Sequence, residues 1–542
     1  MEDLPGAYGY PSGMRTIEPA ALKAAIGTGD ELAFLDVREH GQHAAGHPFF
    51  ARSLPLSRLE WRAPVLLPRR SVPIVLFDSG AADDDIAARA AVALDRLGYS
   101  DIRILAGGAA GWQAAGYELF SGVNVPSKAF GEFVESRAET PRISARELNE
   151  AIAAGEDIVI LDSRPWEEYH RMAIPGGIDC PGAELVLRGA ALAPSDTTRI
   201  VVNCAGRTRS IIGAQSLIDA GLPNPVMALE NGTMGWHLAG LEVVRGADRV
   251  APLPDAADRA AAQARAARVR ARFGVPLVGP EMLAAWQAQA EVRSFCLLDV
   301  RSPDEFLAGH LAGSRNAPGG QLVQATDEYV GTLNGRIMLV DDDGVRASMT
   351  ASWLIRLGWP EVAVLKGGLD GDLVQGPVPP DIAPPEVPAI MPAALAECID
   401  AGSPLTVLDV GTSLAYRRGH VPGALWTPRS RLAGALAHLA ADGPVVVTAD
   451  DPTLVAFAAA DLAALVPGRD IRRLDGGTAA FAAIRPLETG LVAPLSETDD
   501  EWRKPYDQPG GIEERMREYL EWEVGLVAQI ARDGDARFRH FD

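Results

Sequence analysis

Cysteine is scarce in this chain. Its 542 residues include four, and no two of them form a CxxC pair: Cys180, Cys204, Cys296 and Cys398. This usage excludes a disulfide framework and a structural zinc site of the CxxC type. The sequence also lacks an uninterrupted apolar run of about 18 residues, and its first residues show no basic stretch followed by an apolar one. We therefore expect a cytoplasmic protein without a membrane span or a signal peptide.

Basic residues are outnumbered by acidic ones. The chain has 50 Lys and Arg against 72 Asp and Glu, which gives a net charge of −22. Such a surface repels nucleic-acid phosphates and anionic lipids, so neither nucleic acid nor membrane is an expected partner. With 47% hydrophobic and 23% charged residues, the composition is that of folded globular domains and excludes overall disorder. The length favours about three to five domains over a single core.

One sequence pattern recurs four times along the chain. Each copy begins with an apolar run that ends in Leu-Asp, at Asp36, Asp162, Asp299 and Asp409. A second apolar run follows (PIVLF, RIVVN, RIMLV or PVVVT), then a short loop, an Ala-rich helical stretch and a third strand. This strand closes on a glycine turn around Gly107, Gly232, Gly367 and Gly476. Apolar runs that alternate with helical patterns indicate parallel strands covered on both faces, so each copy is predicted to be a small α/β domain.

Composition between the copies sets the predicted boundaries. The four α/β units are predicted at 10–125, 140–246, 276–375 and 393–490. They are separated by a helical linker at 247–275 and a stiff proline-rich linker at 376–392, and followed by a helical tail at 491–542. In the tail, six residues are predicted to line one helix face: Ile512, Met516, Tyr519, Leu520, Val527 and Ile530. We interpret this face as packing against the rest of the chain, and a homodimer contact is the alternative.

The loop after the second apolar run differs between units. In unit two it reads Cys204, Ala205, Gly206, Arg207, Thr208, Arg209 and Ser210. The position of Cys204 is taken by Asp78 in unit one, Asp341 in unit three and Ala449 in unit four. A cysteine between a strand and a helix N-terminus lies beside unpaired amides and the positive end of the helix dipole, which stabilise a thiolate. Two loop arginines add to this field, so the loop is predicted to hold a thiolate nucleophile in an anion cradle.

These motifs resemble tandem rhodanese domains. The likeness rests on the LxDVR run, the EFxxGHxxGA-like turn, the cysteine loop and the closing LxGGxxGW turn, and it covers nearly the whole chain. It implies that Cys204 accepts a sulfane sulfur as a persulfide and that the backbone of Ala205 to Arg209 surrounds it. The common loop of single-domain members reads C-x-x-G-x-R-S. Here the glycine stands one place early, at Gly206, and Arg207 takes its usual position.

The length of the loop separates two reaction classes. A cysteine-dependent phosphatase needs His-Cys-x5-Arg, whereas here Asn203 precedes Cys204 and only four residues separate Cys204 from Arg209. The tighter loop favours sulfur transfer over phosphatase or arsenate reductase chemistry.

The other candidate residues are interpreted as structural rather than catalytic. His47, His310 and His420 recur at one point of the repeat, but unit two has Ala173 there, so a catalytic base is not expected at this position. Cys180 is interpreted as a small core residue, with a resolving thiol as the alternative. Asp341 is predicted to occupy the amide ring that a persulfide would fill.

The resulting hypothesis is a sulfurtransferase with a ping-pong mechanism. Cys204 takes sulfur from a small anionic donor such as thiosulfate, Arg207 and Arg209 steady the departing anion, and cyanide or a thiol, including a protein thiol, accepts the sulfur. No metal or organic cofactor is required. The alternative is a scaffold of rhodanese-like modules in which Cys204 senses sulfane sulfur without turnover, because three of the four units lack the cysteine.

Overall fold

Each of the four repeated patterns folds into a five-stranded parallel sheet. A computed structural model describes residues 14–81, 85–507 and 510–541. The same strand order recurs in all four sheets: the first strand of the sheet at one edge, then its fifth, fourth, second and short third strands. In unit one this order is β1-β5-β4-β2-β3. Its strands are β1 Arg15–Ile17, β2 Ala33–Asp36, β3 Arg52–Ser53, β4 Ile74–Phe77 and β5 Ile102–Leu105. Its helices are α1 Pro19–Thr28, α2 His40–Ala45, α3 Leu59–Leu66, α4 Ile86–Arg96 and α5 Gly108–Ala114.

Unit two follows a connecting helix, α6 Val125–Ala138, which the sequence analysis did not predict. Its strands are β6 Arg142–Ile143, β7 Ile158–Asp162, β8 Ile178–Asp179, β9 Arg199–Asn203 and β10 Val226–Leu229. Its helices are α7 Ala145–Ala153, α8 Trp166–Arg171, α9 Thr208–Asp219 and α10 Gly232–Leu238. Helix α7 begins at a capping box in which Ser144 and Glu147 each bond the other's backbone amide. Helix α11 Ala256–Phe273 then leads to unit three.

Unit three adds a small antiparallel pair to the common sheet. Its strands are β11 Leu277–Val278, β12 Phe295–Asp299, β13 His310–Leu311, β14 Arg315–Asn316, β15 Arg336–Val340, β16 Val362–Leu365 and β17 Leu373–Val374. Strands β13 and β17 form the additional pair. Its helices are α12 Pro280–Ala288, α13 Pro303–Ala308, α14 Gly319–Gln324, α15 Thr326–Tyr329 and α16 Arg346–Arg356.

Unit four and the tail complete the chain. The strands are β18 Ala389–Ile390, β19 Thr406–Asp409, β20 Leu425–Trp426, β21 Val445–Thr448 and β22 Ile471–Leu474. The helices are α17 Pro392–Asp400, α18 Ser413–Arg418, α19 Leu432–Ala435, α20 Pro452–Leu465, α21 Gly477–Ala482 and the tail helix α22 Ile512–Asp533. Within the described residues, no helix is both long and apolar enough to cross a membrane.

The central strands are buried on both faces, as the apolar runs predicted. Every residue of β2, β4, β19 and β21 is buried. Units one and four each have two separate cores, one on each side of the sheet. Units two and three each have one core of their own and share a second, continuous core, to which α11 contributes Ala262, Ala266, Val269 and Phe273. These two units are therefore packed as a pair.

The structure corrects two details of the predicted organisation. The proline-rich segment predicted at 376–392 is not linker throughout, because β18 pairs with β22 as the edge of the fourth sheet and α17 begins at Pro392. In the tail, Met516, Leu520 and Ile530 are buried, but Ile512 and Val527 are exposed. Leu526 and the fully buried Glu523 take part in the packed face instead. A helical pattern in sequence does not reveal that a carboxylate occupies the buried side.

Candidate active site

Cys204 lies at the carboxyl end of β9, directly before α9. Its backbone carbonyl accepts hydrogen bonds from the amide of Thr233 at 2.8 Å and from the hydroxyl of the same residue at 3.0 Å. These bonds tie the cysteine loop to the glycine turn before α10. A Cβ atom at Gly232 would lie 2.4 Å from the Cys204 carbonyl oxygen. Only glycine permits this approach, which explains why the repeat closes on a glycine turn.

The same crossing occurs in the other three units and confirms the alignment of the loops. A Cβ at Gly108, Gly368 or Gly477 would collide with the backbone of Asp78, Asp341 or Ala449, respectively. The residue at the position of Cys204 therefore has the same place in each sheet.

In unit three this place is a ring of backbone amides around a carboxyl group. The Oδ1 atom of Asp341 accepts from Gly344 N at 2.9 Å, and its Oδ2 atom accepts from Ala347 N at 2.8 Å. The predicted position of Asp341 in an amide ring is thus confirmed. Burial, with Asp343 beside it, raises the pKa of Asp341 well above its usual range. In unit one, Asp78 is held in the same way by Gly80 N and Ala87 N.

Unit two places sulfur where these units have oxygen. The Cys204 side chain is 2% exposed, and its Sγ lies 3.3 Å from the hydroxyl of Ser210. The Ser210 hydroxyl also donates to the carbonyl of Arg207 at 2.8 Å. Twelve residues of α9 follow, so the positive end of a full helix dipole points at the loop.

The two loop arginines differ in their surroundings. Arg207 turns away from the sulfur and donates to both carboxylate oxygens of Glu132, at 2.6 and 2.7 Å, and to Glu135. It also donates to Asn231 at 3.2 Å. Two carboxylates from α6 thus outweigh its charge. The expectation that both arginines strengthen the field at the cysteine does not hold for Arg207, because its partners come from a helix distant in sequence.

Arg209 lies close to the Cys204 side chain. It donates to Glu168 at 2.8 Å. Burial acts to lower the pKa of Arg209, but the charge of Glu168 and the neighbouring Cys204 raise it. Lys504 Nζ lies 3.5 Å from the same glutamate. Although burial acts to raise it, these two cations lower the pKa of Glu168 to about 2. One carboxylate therefore faces two cations, which leaves one positive charge in excess on this side of the loop.

A cavity of about 280 Å³ opens over the loop, and its walls come from five parts of the chain, including His40 of unit one. Unit two contributes the loop and Glu168, α6 contributes Lys128, and unit three contributes Gln321, Gln324 and Glu328. The tail contributes Trp502, Lys504, Tyr506 and Tyr519. Sequence reasoning identified the loop but none of these walls. The one available signal is the rarity of lysine: two of the four lysines in the chain, Lys128 and Lys504, line this cavity.

Helix α22 packs against the cysteine loop at Gly206. The buried carboxylate of Glu523 accepts from Lys128 at 2.9 Å and from the Tyr519 hydroxyl at 3.1 Å. Its Oε2 atom would lie 3.1 Å from a Cβ at Gly206. Gly206 is not among the residues with positive φ, so crowding by Glu523 is what favours glycine there.

The contact between Gly206 and Glu523 accounts for the position of the glycine in this loop, one place earlier than usual. At the usual glycine position, Arg207 has a φ of −119°, whereas the equivalent Gly344 of unit three has a φ of +75°. Unit three thus uses glycine for a left-handed conformation, and unit two has a different loop backbone that accepts arginine.

The remaining candidates behave as structural residues. The Nδ1 atoms of His47, His310 and His420 each lie 2.8 Å from a backbone carbonyl oxygen four residues earlier, which confirms the turn interpretation. Cys180 is fully buried, and burial raises the pKa of its thiol well above the ordinary value. No group of three or more His, Cys, Asp or Glu side chains in the described part of the chain is placed to hold a metal ion.

Four sheets with one strand order, each presenting a loop crossed by a glycine turn, define a protein of tandem rhodanese-like domains. The Rhodanese-like domain family matches residues 18–115, 144–239 and 280–372, and the chain belongs to this family. Over nearly its whole length it has the structure of a rhodanese-type enzyme. It is 46% identical to a thiosulfate sulfurtransferase from Pseudomonas aeruginosa, whose crystal structure aligns with a TM-score of 0.91 over 98% of this chain and 100% of that one.

Two curated relatives match shorter parts. An HTH-type transcriptional regulator of Mycobacterium tuberculosis is 37% identical over 105 residues, which are 19% of this chain and 45% of the regulator. The uncharacterized protein YqhL of Bacillus subtilis is 38% identical over 80 residues, which are 15% of this chain and 62% of YqhL. The chain thus spans less than two thirds of each of these relatives.

Proposed function

We propose that this protein is a sulfurtransferase that moves sulfane sulfur from thiosulfate or a similar anionic donor through a persulfide on Cys204. The Cys204 thiolate attacks the outer sulfur of thiosulfate, the sulfur–sulfur bond of the donor breaks, and its electron pair leaves with sulfite. Cyanide or a thiolate then attacks the outer sulfur of the persulfide. Thiocyanate or a new persulfide departs, and the Cys204 thiolate is regenerated.

One observation carries this proposal. Units one and three hold a carboxyl group between backbone amides at the place where unit two has the Cys204 sulfur. An amide ring that retains a buried carboxyl group is suited to a thiolate and to a persulfide anion. The likeness to thiosulfate sulfurtransferase of Pseudomonas aeruginosa supports the same reaction class.

The charge distribution supports a donor site on one side of the loop. Arg207 is outweighed by Glu132 and Glu135, whereas Arg209 and Lys504 share Glu168. We therefore place the sulfonate end of the donor, and the departing sulfite, beside Arg209 and Lys504. In this arrangement Arg207 is a structural residue that ties the loop to α6.

The test is intact-protein mass after brief exposure to thiosulfate, for the wild type and for Cys204→Ser. We expect the wild type to gain one sulfur atom, the variant to gain none, and added cyanide to yield many equivalents of thiocyanate. A Cys204→Ser protein that turns over as fast as the wild type would contradict the assignment of the nucleophile.

The absence of a loop cysteine from three units favours a second candidate function. In a sulfane-sulfur sensor or scaffold, Cys204 takes up one sulfur and passes none on. Counting thiocyanate per chain separates the two functions, because a sensor yields one equivalent at most and an enzyme yields many.

A further inference from the structure

A second cavity lies away from Cys204 and shares no wall residue with the cavity above it. Unit one, the start of α6, unit three and the last residues of the tail meet there around a space of about 50 Å³. Charged and polar wall residues include Arg52, Asp327, Asn334 and Arg537. The space has room for a few atoms the size of water and is too small for an organic cofactor.

Arg52 of β3 is a buried cation without a hydrogen-bond acceptor. Its side chain is 3% exposed, and it forms no hydrogen bond or close ion pair with any residue that the structure describes. The charge of Asp327 offsets part of its charge, but a buried guanidinium group without hydrogen-bond acceptors is destabilising. The sheet does not require an arginine at this point, because register places Ile178 of unit two and Leu425 of unit four at the same position. Unit three has Arg315 there, but that arginine donates to the carbonyl of Tyr329, whereas Arg52 has no such acceptor. The charge of Arg52 therefore serves something other than the sheet.

A second guanidinium group faces the same space. Arg537 donates to the carbonyl of Ile26 and to Asn334 Oδ1 at 3.5 Å, and it makes no ion pair within the described ranges. Asp327 is the carboxylate of the wall, and its Oδ1 accepts from Asn124 at 3.3 Å. Two arginines against one aspartate leave a net positive charge in the wall of this space.

We propose that this cavity binds a small inorganic oxyanion, with Arg52 as its principal ligand and Arg537 as the second. The planar guanidinium fork matches two oxygens of a tetrahedral oxyanion and supplies the strong charge-assisted hydrogen bonds that Arg52 otherwise lacks. The site is independent of sulfur transfer at Cys204. Its occupant joins unit one, α6, unit three and the tail, so it stabilises their arrangement.

Equilibrium dialysis with radiolabelled sulfate tests the site on the full chain. Arg52→Leu introduces the residue that unit four has at this position, so the sheet tolerates it. We expect Arg52→Leu to bind one sulfate per chain fewer than the wild type. Arg209→Leu, the matched control in the cysteine loop, is expected to retain the Arg52-dependent sulfate. Unchanged sulfate binding by folded Arg52→Leu would overturn the proposal.

A second measurement uses the wild type and so does not depend on how the variant folds. Crystals are soaked in selenate, and selenium is located by anomalous scattering. A selenium peak within hydrogen-bonding reach of the Arg52 guanidinium supports the site. If saturating selenate gives no peak there, Arg52 is satisfied by water and the proposal is wrong.

Discussion

At the residue scale, the cations around Cys204 form two groups. Arg207 is paired with carboxylates of α6, whereas Arg209 and Lys504 share Glu168. Replacing Lys504 by Gln removes the excess positive charge beside Arg209, and we expect the KM for thiosulfate to rise about 3- to 10-fold with little change in thermal stability. Lys504→Arg keeps the charge and is expected to keep the KM. Steady-state thiocyanate formation measures both variants.

Arg207→Gln is expected to act in the opposite way. Its loss leaves the buried carboxylate of Glu132 without its cation and leaves Glu135 with Arg142 alone, and breaking such a buried pair costs about 3 kcal/mol of stability. The KM of the fraction that remains folded should stay near that of the wild type. A rise in KM without a loss of stability would indicate that Arg207 binds the sulfur donor.

Asp409 gives a pH-dependent prediction of the same scale. In units one to three, the equivalent aspartate pairs with an arginine two residues later in the chain. Unit four has Gly411 in place of that arginine, and burial raises the pKa of Asp409 to about 7. The unfolded carboxyl ionises near pH 4. Stability contributed by the protonated form is thus present below about pH 4 and is lost as the pH rises to about 7.

Asp409→Asn is therefore expected to stabilise unit four at pH 8, by an amount on the order of a few kcal/mol, and to have little effect at pH 4. Hydrogen exchange of unit-four peptides at the two pH values measures this difference. Asp299→Asn in unit three is the control, because Arg301 pairs with that carboxylate and its loss should destabilise. Equal effects of Asp409→Asn at both pH values would contradict the assignment.

At the element scale, helix α22 packs against the cysteine loop and forms part of the candidate active site. Gly206→Ala places a Cβ 3.1 Å from Glu523 and 3.5 Å from Tyr519, so the loop must shift although its backbone dihedrals suit alanine. We expect turnover to fall about 10-fold, which corresponds to about 1.4 kcal/mol in the transition state, while the protein stays folded.

Gly525→Ala is the matched control on the same helix. A Cβ there meets nothing within 4 Å, so alanine should be neutral or slightly stabilising through its helix propensity. Turnover by Gly206→Ala at the wild-type rate would show that the contact with α22 does not position the loop.

At the scale of the whole molecule, the shared core of units two and three predicts that they unfold together. Trp353 of unit three donates to Ser216 of unit two at 2.8 Å, and the Arg356–Asp219 and Arg346–Glu184 ion pairs cross the same boundary. A change that destabilises unit three should therefore reach the unit that carries Cys204.

Asp341→Ala supplies that change. It leaves the amides of Gly344 and Ala347 without their acceptor, at a cost of about 2 kcal/mol. We expect faster hydrogen exchange in unit three and in the Cys204 loop. Asp78→Ala, at the same position in unit one, should leave the Cys204 loop unchanged because unit one has its own cores. Protection of the Cys204 loop that is unaffected by Asp341→Ala would contradict the coupling.

Much of the architecture follows from local pattern. Apolar runs ending in Leu-Asp identified the buried central strands, since strands covered on both faces must be apolar throughout. The short strands β1, β3 and their counterparts escaped prediction, because two or three residues carry too little periodicity to be recognised. Helix α6 was missed for another reason: its buried face includes Ser127, Gly131 and Glu132, which do not form an apolar stripe.

The sequence by itself determined the repeat, the fold of each unit and the choice of Cys204 as the candidate nucleophile, because these depend on residues close together along the chain. Only the tertiary structure decided which charges act on that sulfur. Segments distant in sequence bring Lys504, Glu132 and Glu523 to the loop. Burial of Arg52 likewise requires that four parts of the chain meet. Electrostatic fields depend on distance in space, so a sequence can supply the charges without showing which of them are neighbours.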